Sequence, residues 1–431
     1  MDNFDVTIMH PRDQIVAIID RIYKLGMTTT SGGNISIIDD SGDIWITPSG
    51  IDKGNLKPSD IMCVKGDGTI IGPHKPSSEY PFHKAIFKNR PDIKAVIHAH
   101  PPALVSFSIA RTIPDTNVIP QAKYICGPIG YAPYELPGSE ELGEIIAEEF
   151  NKGYKAVIME NHGTVLGGKD LSDAFQRFET LELCAVTIIN AKRIGECRRL
   201  SDEQIDAFED QIPRLLPEFI AEKYSSKERE IRAEITEIVR RACRQGLMIS
   251  SYGTVSHRLD GDDFLITPTN KLRWDITSHD IVLIKDGQRE KDKLPSRATW
   301  LHQELYKKNP DINSIILTQS PYLMAFGVTG EKFDVRTIPE SWIFLQDIPN
   351  MEFGTHFRDR REIIDTIRKD TPVVIIENDS VLVTGDKLMQ TFDRLEVAEF
   401  SAKSLILGAS IGDLVPIGEK EIEDLRKKFL S

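Results

Sequence analysis

The sequence predicts an α/β protein made of two tandem copies of one three-layer domain. Two observations lead there. The first is an internal repeat whose offset stays between 217 and 220 residues over most of the 431-residue chain, the self-similarity expected of one structural unit used twice. The second is that each copy alternates short β-branched runs with longer segments of helical period, as when helices cover both faces of a sheet. A chain of this length has room for two or three domains, each able to bury a core, and the repeat selects two.

Each copy opens on an amphipathic helix. Ile15, Ile18, Ile19 and Ile22 precede Gly26, while Ile231, Ile235 and Ile238 precede Gly246. The spacing marks one buried face, and each glycine stands where a helix C-cap belongs. TSGGNISI from Thr30 and SSYGTVSH from Ser250 then lead into short strands, and WITPSG from Trp45 is matched by LITPTN from Leu265. KPSSEYPFHKAIFKNRPDIKAVIHAHPP aligns without a gap on LPSRATWLHQELYKKNPDINSIILTQSP, pairing His83 with His302. Ala156 to Glu160 is a buried-strand run, and Phe175, Phe178, Leu181, Ala185 and Ile188 then recur at the spacing of a long helix. The boundary is expected in the polar stretch AEKYSSKERE, which divides the chain into domains 1–222 and 223–431.

Composition narrows the function classes. Hydrophobic residues at 40% and charged residues at 28% are ordinary for a soluble globular protein. A formal net charge of −13 argues against non-specific nucleic-acid binding, since an acidic surface repels phosphate backbones. It leaves room for a small phosphorylated substrate, which needs only a few local donors. No apolar run is long enough to span a bilayer, and the acidic start MDNFDVTIMHPRD has no signal-peptide core. Five cysteines without CxxC spacing are expected as reduced thiols, and the location as cytoplasmic.

Three histidines of the first copy carry the chemistry. His98 and His100 are two apart on a strand-like segment, so alternation places both imidazoles on one face. His162 follows directly on another strand and can close a set of three. Imidazole nitrogens suit zinc and neighbouring transition metals, and three protein ligands leave a position for substrate. The second copy is the control: Leu317, Gln319 and Asp379 fill these three positions while the surrounding scaffold residues persist. Histidines that only packed would have no reason to vanish as a set. Glu79 is the candidate acid/base, and its partner Ala298 shows the carboxylate lost together with the ligands. His83 and His302 are kept in both copies, which favours a structural role, and His74 is expected in a solvated loop.

Three small-residue loops flank this set: Ser31 to Asn34, Thr47 to Gly50, and Ser77 with Ser78. Each alone reads as an ordinary turn. Together, beside a metal and a carboxylate, they read as an anion nest built without a formal positive charge. The second copy keeps Ser256, Thr269 and Ser296 but has Thr254 for the asparagine and Asn270 for the glycine, an eroded version of that pocket.

The set SGGN, TPSG, SSE, HAHP and ENHG closely resembles the class II aldolase/adducin family, whose prototype is L-fuculose-1-phosphate aldolase. The resemblance covers nearly all of copy one and, more weakly, copy two. It implies a zinc-dependent lyase with a three-layer α/β/α fold in each copy, zinc held by His98, His100 and His162, and Glu79 as the proton shuttle. It further implies that Ser31, Asn34, Ser49, Gly50, Ser77 and Ser78 grip a phosphate, and that Tyr124 matches an aromatic residue donated to a neighbouring subunit. The activity implied is retro-aldol cleavage of a ketose 1-phosphate through a zinc-stabilised enediolate. Relatives of the same kind include decarboxylases of sugar-acid phosphates, dehydratases and epimerases, with the Ser-Ser-Glu motif counting against an epimerase. A different class, the non-catalytic adducin-like interaction module, fits copy two better than copy one. The expected partners are a small phosphorylated sugar or sugar acid and a second copy of the chain, the dimer forming a pseudo-fourfold ring of active and silent copies.

Overall fold

A computed structural model describes residues 5–211, 215–221 and 223–430. It divides into two compact units, one of Met1–Thr116 with Gln121–Val186 and one of Asn117–Pro120 with Thr187–Ser431. Unit one contains α1 (Pro11–Lys24), β1 (Asn34–Ile38), β2 (Ile44–Ile46), β3 (Met62–Val64), β4 (Ile70–Ile71), α2 (Tyr80–Asn89), β5 (Ala95–Ala99), α3 (Pro102–Ile109), α4 (Pro120–Cys126), β6 (Ile129–Ala132), α5 (Glu140–Asn151), β7 (Ala156–Met159) and β8 (Thr164–Gly168). The long α6 (Leu171–Ala191) follows. Unit two continues with α7 (Asp202–Glu209), β9 (Glu218–Phe219), α8 (Ser226–Arg244), β10 (Thr254–Arg258), β11 (Phe264–Ile266), β12 (Val282–Lys285), β13 (Gln288–Glu290), α9 (Thr299–Lys308) and β14 (Ser314–Thr318). It closes with α10 (Pro321–Thr329), α11 (Pro339–Leu345), β15 (Asn350–Met351), α12 (Arg361–Thr366), β16 (Val373–Ile376), β17 (Ser380–Gly385), α13 (Leu388–Ala409) and α14 (Glu419–Phe429).

The repeat is written into the sheets. Strand order is β4-β3-β2-β1-β5-β8-β7-β6 in one and β15-β16-β17-β14-β10-β11-β12-β13-β9 in the other. Read from opposite ends these are the same topology, with β9 added at one edge. Register is preserved as well, because Asn34 faces His98 across β1 and β5 while Thr254 faces Leu317 across β10 and β14. Both faces of each sheet are covered. In unit one, Phe82, Ile86 and Phe87 of α2 and Leu142, Ile146 and Phe150 of α5 pack on Val96, Val157 and Val165. Ala95 and Ile97, which alternation points the other way, are also fully buried. The result is the three-layer α/β/α arrangement expected from the sequence. Ile15, Ile18, Ile19 and Ile22 are all inaccessible, and Gly26 and Gly246 both end their helices at φ +70°. Among the described residues no helix is long and apolar enough to cross a membrane, and all five cysteines are free thiols.

A buried carboxylate sets the elbow between strand and helix in each unit. Glu182 of α6 accepts the backbone N–H groups of Ala103 (3.1 Å) and Leu104 (3.0 Å) at the start of α3. Glu399 of α13 does the same for Tyr322 (3.0 Å) and Leu323 (2.9 Å) at the start of α10. These helices begin at prolines and have no cap of their own, so the carboxylate satisfies donors that would otherwise be orphaned. Burial pushes each carboxyl up to about 7, against the opposing pull of the two N–H donors. A carboxyl that titrates above its ordinary value contributes stability that is complete at acid pH and is lost as the pH rises through about 7. Glu399→Gln should therefore gain stability relative to the parent between pH 5 and pH 8, by at most on the order of 3 kcal/mol. Urea midpoints across that range measure it, and a gap independent of pH would contradict the assignment.

Candidate metal centre

The three histidines arrive from two adjacent strands. His98 lies in β5 and His100 just beyond its end, while His162 sits in the turn joining β7 to β8. That turn is held by Asn161 at φ +52°, a left-handed conformation that asparagine tolerates better than most residues. Its repeat partner Asn378 adopts φ +57°, so backbone geometry accounts for the asparagine in both copies. Ser108 of α3 accepts the N–H of His162 at 2.9 Å and anchors the turn.

The ring nitrogens of His98, His100 and His162 lie within 4.8 Å of one another, and among the described residues no other such group of metal-ligating side chains forms. His98 is fully buried, and its Nδ1–H donates to the carbonyl of Thr164 at 3.0 Å. That bond leaves the Nε2 lone pair pointing inward. Nε2 of His98 lies 3.0 Å from Nε2 of His100 and 3.2 Å from Oε2 of Glu79, while Oε1 of Glu79 lies 3.4 Å from Nε2 of His162. Acceptors therefore converge on one point, and a positive charge among them resolves their repulsion. Three imidazoles beside one carboxylate suit a divalent transition metal, so the residues fit the group that the sequence implies.

Electrostatics agree. Burial, with His98 and His162 competing for the same proton, holds His100 down to about 3, and burial with competition from His98 holds His162 down to about 4, so these two rings are neutral at neutral pH. At His98 burial is outweighed by Glu79 and the Thr164 carbonyl, which raise it. Burial opposes ionisation of Glu79, but His98, His162 and the amide of Asn34 outweigh it and keep the carboxylate well below its usual range. Two glycines let the backbone approach this closely. A Cβ on Gly163 would lie 2.6 Å from the carbonyl of Ala99 and from the His100 ring, and one on Gly32 would lie 2.9 Å from Nδ1 of His100.

The structure brings the small-residue loops side by side. Ser49 N–H donates to the Lys75 carbonyl at 2.9 Å, Ser77 N–H to Thr47 at 3.1 Å, and Lys53 N–H to Thr30 at 2.9 Å. Ser31, Ser49, Gly50 and Ser78 are exposed there, whereas Ser77 is buried and its hydroxyl accepts the N–H of Glu79 at 3.3 Å. Asn34 is buried, and its side chain is directed at Glu79 rather than outward, donating to Oε2 at 2.7 Å. Tyr124 projects from α4 at 61% exposure, and no described hydrogen bond joins it to the histidines of its own chain. His74 is not simply solvated, because its Nε2 lies 3.2 Å from Oδ1 of Asp60.

Sequence reasoning missed Lys53. Its ammonium is buried beneath the Thr47-to-Gly50 loop and donates to the carbonyls of Pro48 (2.7 Å) and Ile51 (3.2 Å). A formal positive charge thus stands behind the nest after all. Arg273 occupies the same place in copy two and donates to the carbonyl of Gly253 at 2.7 Å, so a cation kept at matching repeat positions was the available signal. Asn270, read as an eroded glycine, keeps a left-handed turn at φ +55° against +71° for Gly50. The remaining copy-two positions satisfy one another. Gln319 donates to the carbonyl of Asp379 at 2.7 Å, Asp379 lies 3.0 Å from Nε2 of His356, and the hydroxyls of Thr254 and Ser296 are 2.6 Å apart.

A profile of the Class II Aldolase and Adducin N-terminal domain matches residues 13–189 and again 233–406. The chain belongs to that family. Both copies of this class II aldolase/adducin protein are covered, which accounts for the duplicated sheets. A 5-deoxy-D-ribulose 1-phosphate aldolase of Bacillus thuringiensis is 34% identical over 45% of this chain and 92% of its own length. A 3-oxo-tetronate 4-phosphate decarboxylase of Escherichia coli is 32% identical over 44% of this chain and 90% of its own. An L-fuculose phosphate aldolase of Methanocaldococcus jannaschii is 36% identical over 42% of this chain and 96% of its own. Each of these relatives is thus about as long as one copy of the class II aldolase/adducin repeat.

Proposed function

We propose that this protein is a zinc-dependent lyase that cleaves a ketose 1-phosphate by retro-aldol chemistry in the first copy, residues 1–222, with residues 223–431 as a metal-free partner. One observation carries the reading: the three imidazoles and Glu79 converge in the first unit, whereas the same positions in the second hold Leu317, Gln319, Asp379 and Ala298. A metal held by His98, His100 and His162 supplies Lewis-acid stabilisation of negative charge developing on substrate oxygens. The chain's own residues do the rest. Exposed Ser31, Ser49, Gly50 and Ser78 bind the phosphate at the nest, with the buried Lys53 charge behind it and Ser77 and Asn34 lining its inner side. Anchoring there spends remote binding energy on orienting the reacting carbon towards Glu79. Glu79, ionised and largely shielded from water, returns a proton to the carbon left by C–C cleavage, that proton being the one the substrate hydroxyl gives up as it becomes the aldehyde carbonyl.

A second reading, decarboxylation of a sugar-acid phosphate, is favoured by the decarboxylase relatives at 30–34% identity. Both readings use the same charge stabilisation, so products separate them. Zinc-loaded protein assayed against phosphorylated ketoses and sugar acids, with dihydroxyacetone phosphate and carbon dioxide read in parallel, is expected to release dihydroxyacetone phosphate. Carbon dioxide alone would select the decarboxylase, and turnover of neither class would remove both. We further assign exposed Tyr124 to the site of a neighbouring copy in a homodimer. A monomeric mass by light scattering would overturn that assignment.

A further inference from the structure

The Glu79 carboxylate does not reach its position unaided. Its Oε2 accepts from the amide nitrogen of Asn34 at 2.7 Å, while Oε1, buried, accepts no hydrogen bond. The amide presents its NH2 nitrogen, which only donates, to Glu79 and its carbonyl oxygen, which only accepts, to the other side. There the Asn34 Oδ1 meets Nε2 of His83 in a short contact. His83 must then carry its proton on Nε2, which leaves Nδ1 to accept from the hydroxyl of Ser36 at 2.6 Å. Every direction in this chain follows from the amide, whose nitrogen only donates and whose oxygen only accepts. His83 and Ser36 are completely buried, and His83 stacks on Phe82 with ring centroids 4.4 Å apart.

Copy two keeps one half of the chain and loses the other. His302 still meets the Ser256 hydroxyl at 2.7 Å, but Asn34 and Glu79 are replaced by Thr254 and Ala298, and the buried Nε2 of His302 has no hydrogen-bond partner. The Ser–His half therefore serves the fold in both copies. Its outward ring nitrogen has a hydrogen-bond partner only in the copy where a carboxylate stands at the end.

We infer that Ser36, His83 and Asn34 form a one-way hydrogen-bond relay that holds Glu79 by Oε2 and leaves Oε1 facing the substrate, making His83 a positioning residue for proton transfer. Asn34 is then committed to the carboxylate rather than chiefly to phosphate. The inference rests on the lyase reading for its kinetic consequences but not for its structural ones. Nitrogen-15 NMR of the zinc-loaded, substrate-free protein tests the latter: His83 is expected as a neutral ring protonated on Nε2, with that signal shifted in Asn34→Thr, the residue copy two carries. A ring protonated on Nδ1, or a signal indifferent to Asn34→Thr, overturns the relay whatever the protein catalyses.

In turnover, His83→Leu is expected to lower kcat about 10- to 100-fold, the usual scale for an outer partner of a functional group, with KM and metal content within about threefold. His83→Gln, whose amide can still donate to Asn34, should recover most of the loss. Should His83→Leu fail to fold, Asn34→Thr takes its place with the same expectation. A raised KM with unchanged kcat in Asn34→Thr would make Asn34 a phosphate ligand and overturn the relay. Absence of any turnover in the parent would instead strike the lyase reading, with the NMR result still standing for or against the relay.

Discussion

His98→Ala is expected to strip the transition metal from the protein and to lower turnover by more than about a thousandfold, roughly 4 kcal/mol of transition-state stabilisation. The size of the effect follows from position. His98 is the fully buried member of the three, its tautomer is set by the Thr164 carbonyl, and its Nε2 touches both His100 and Glu79. Removing it leaves two half-buried imidazoles and a carboxylate that no longer share a cation. Copy two shows that the strand itself does not need the ring, since Leu317 occupies the matching place in β14. Elemental analysis should therefore find close to one metal ion per chain in the parent and almost none in the variant, with circular dichroism unchanged. Turnover that survived the loss of metal would refute the assignment of this centre.

Glu79→Gln separates proton transfer from metal binding. Gln is isosteric, and its carbonyl can still accept from Asn34 at the place Oε2 now occupies, so the fold and the three imidazoles should be undisturbed. What disappears is the basic oxygen. A positioned acid/base contributes typically about 10²- to 10⁴-fold, or about 3–5 kcal/mol, and a loss in that range is expected in kcat with KM and metal content little changed. Turnover within tenfold of the parent would remove Glu79 from the chemistry. Loss of metal together with activity would make it principally a ligand.

Legibility in the sequence tracked locality. Ile15, Ile18, Ile19 and Ile22 identified α1, the β-branched run identified β7, and Phe175 to Ile188 identified α6, because burial imposes a period that is visible within a few turns. The histidines were legible for a different reason: the second copy is an internal comparison, and their joint loss there isolates them from packing residues. Asn34 was not legible in the same way. Its motif suggested a phosphate grip, but the amide donates to a carboxylate 45 residues away and meets an imidazole 49 residues away. Glu182 caps a helix 79 residues distant, and Lys53 disappears beneath a loop whose carbonyls it neutralises.

By itself, then, the sequence determined a duplicated α/β domain, the positions of α1, α6, α8 and a few strands, and one group of three histidines able to hold a metal, present in only one copy. These depend on periodicity and on comparison at a fixed offset, and both survive in one dimension. Only the tertiary structure decided which polar groups face one another. Pairing β1 with β5 sets Asn34 opposite His98. The packing of α2 on the sheet brings His83 and Glu79 to the same asparagine. A buried donor or acceptor takes the partner that strand register and helix packing place within about 3 Å, and that choice belongs to the folded chain rather than to any local run of residues.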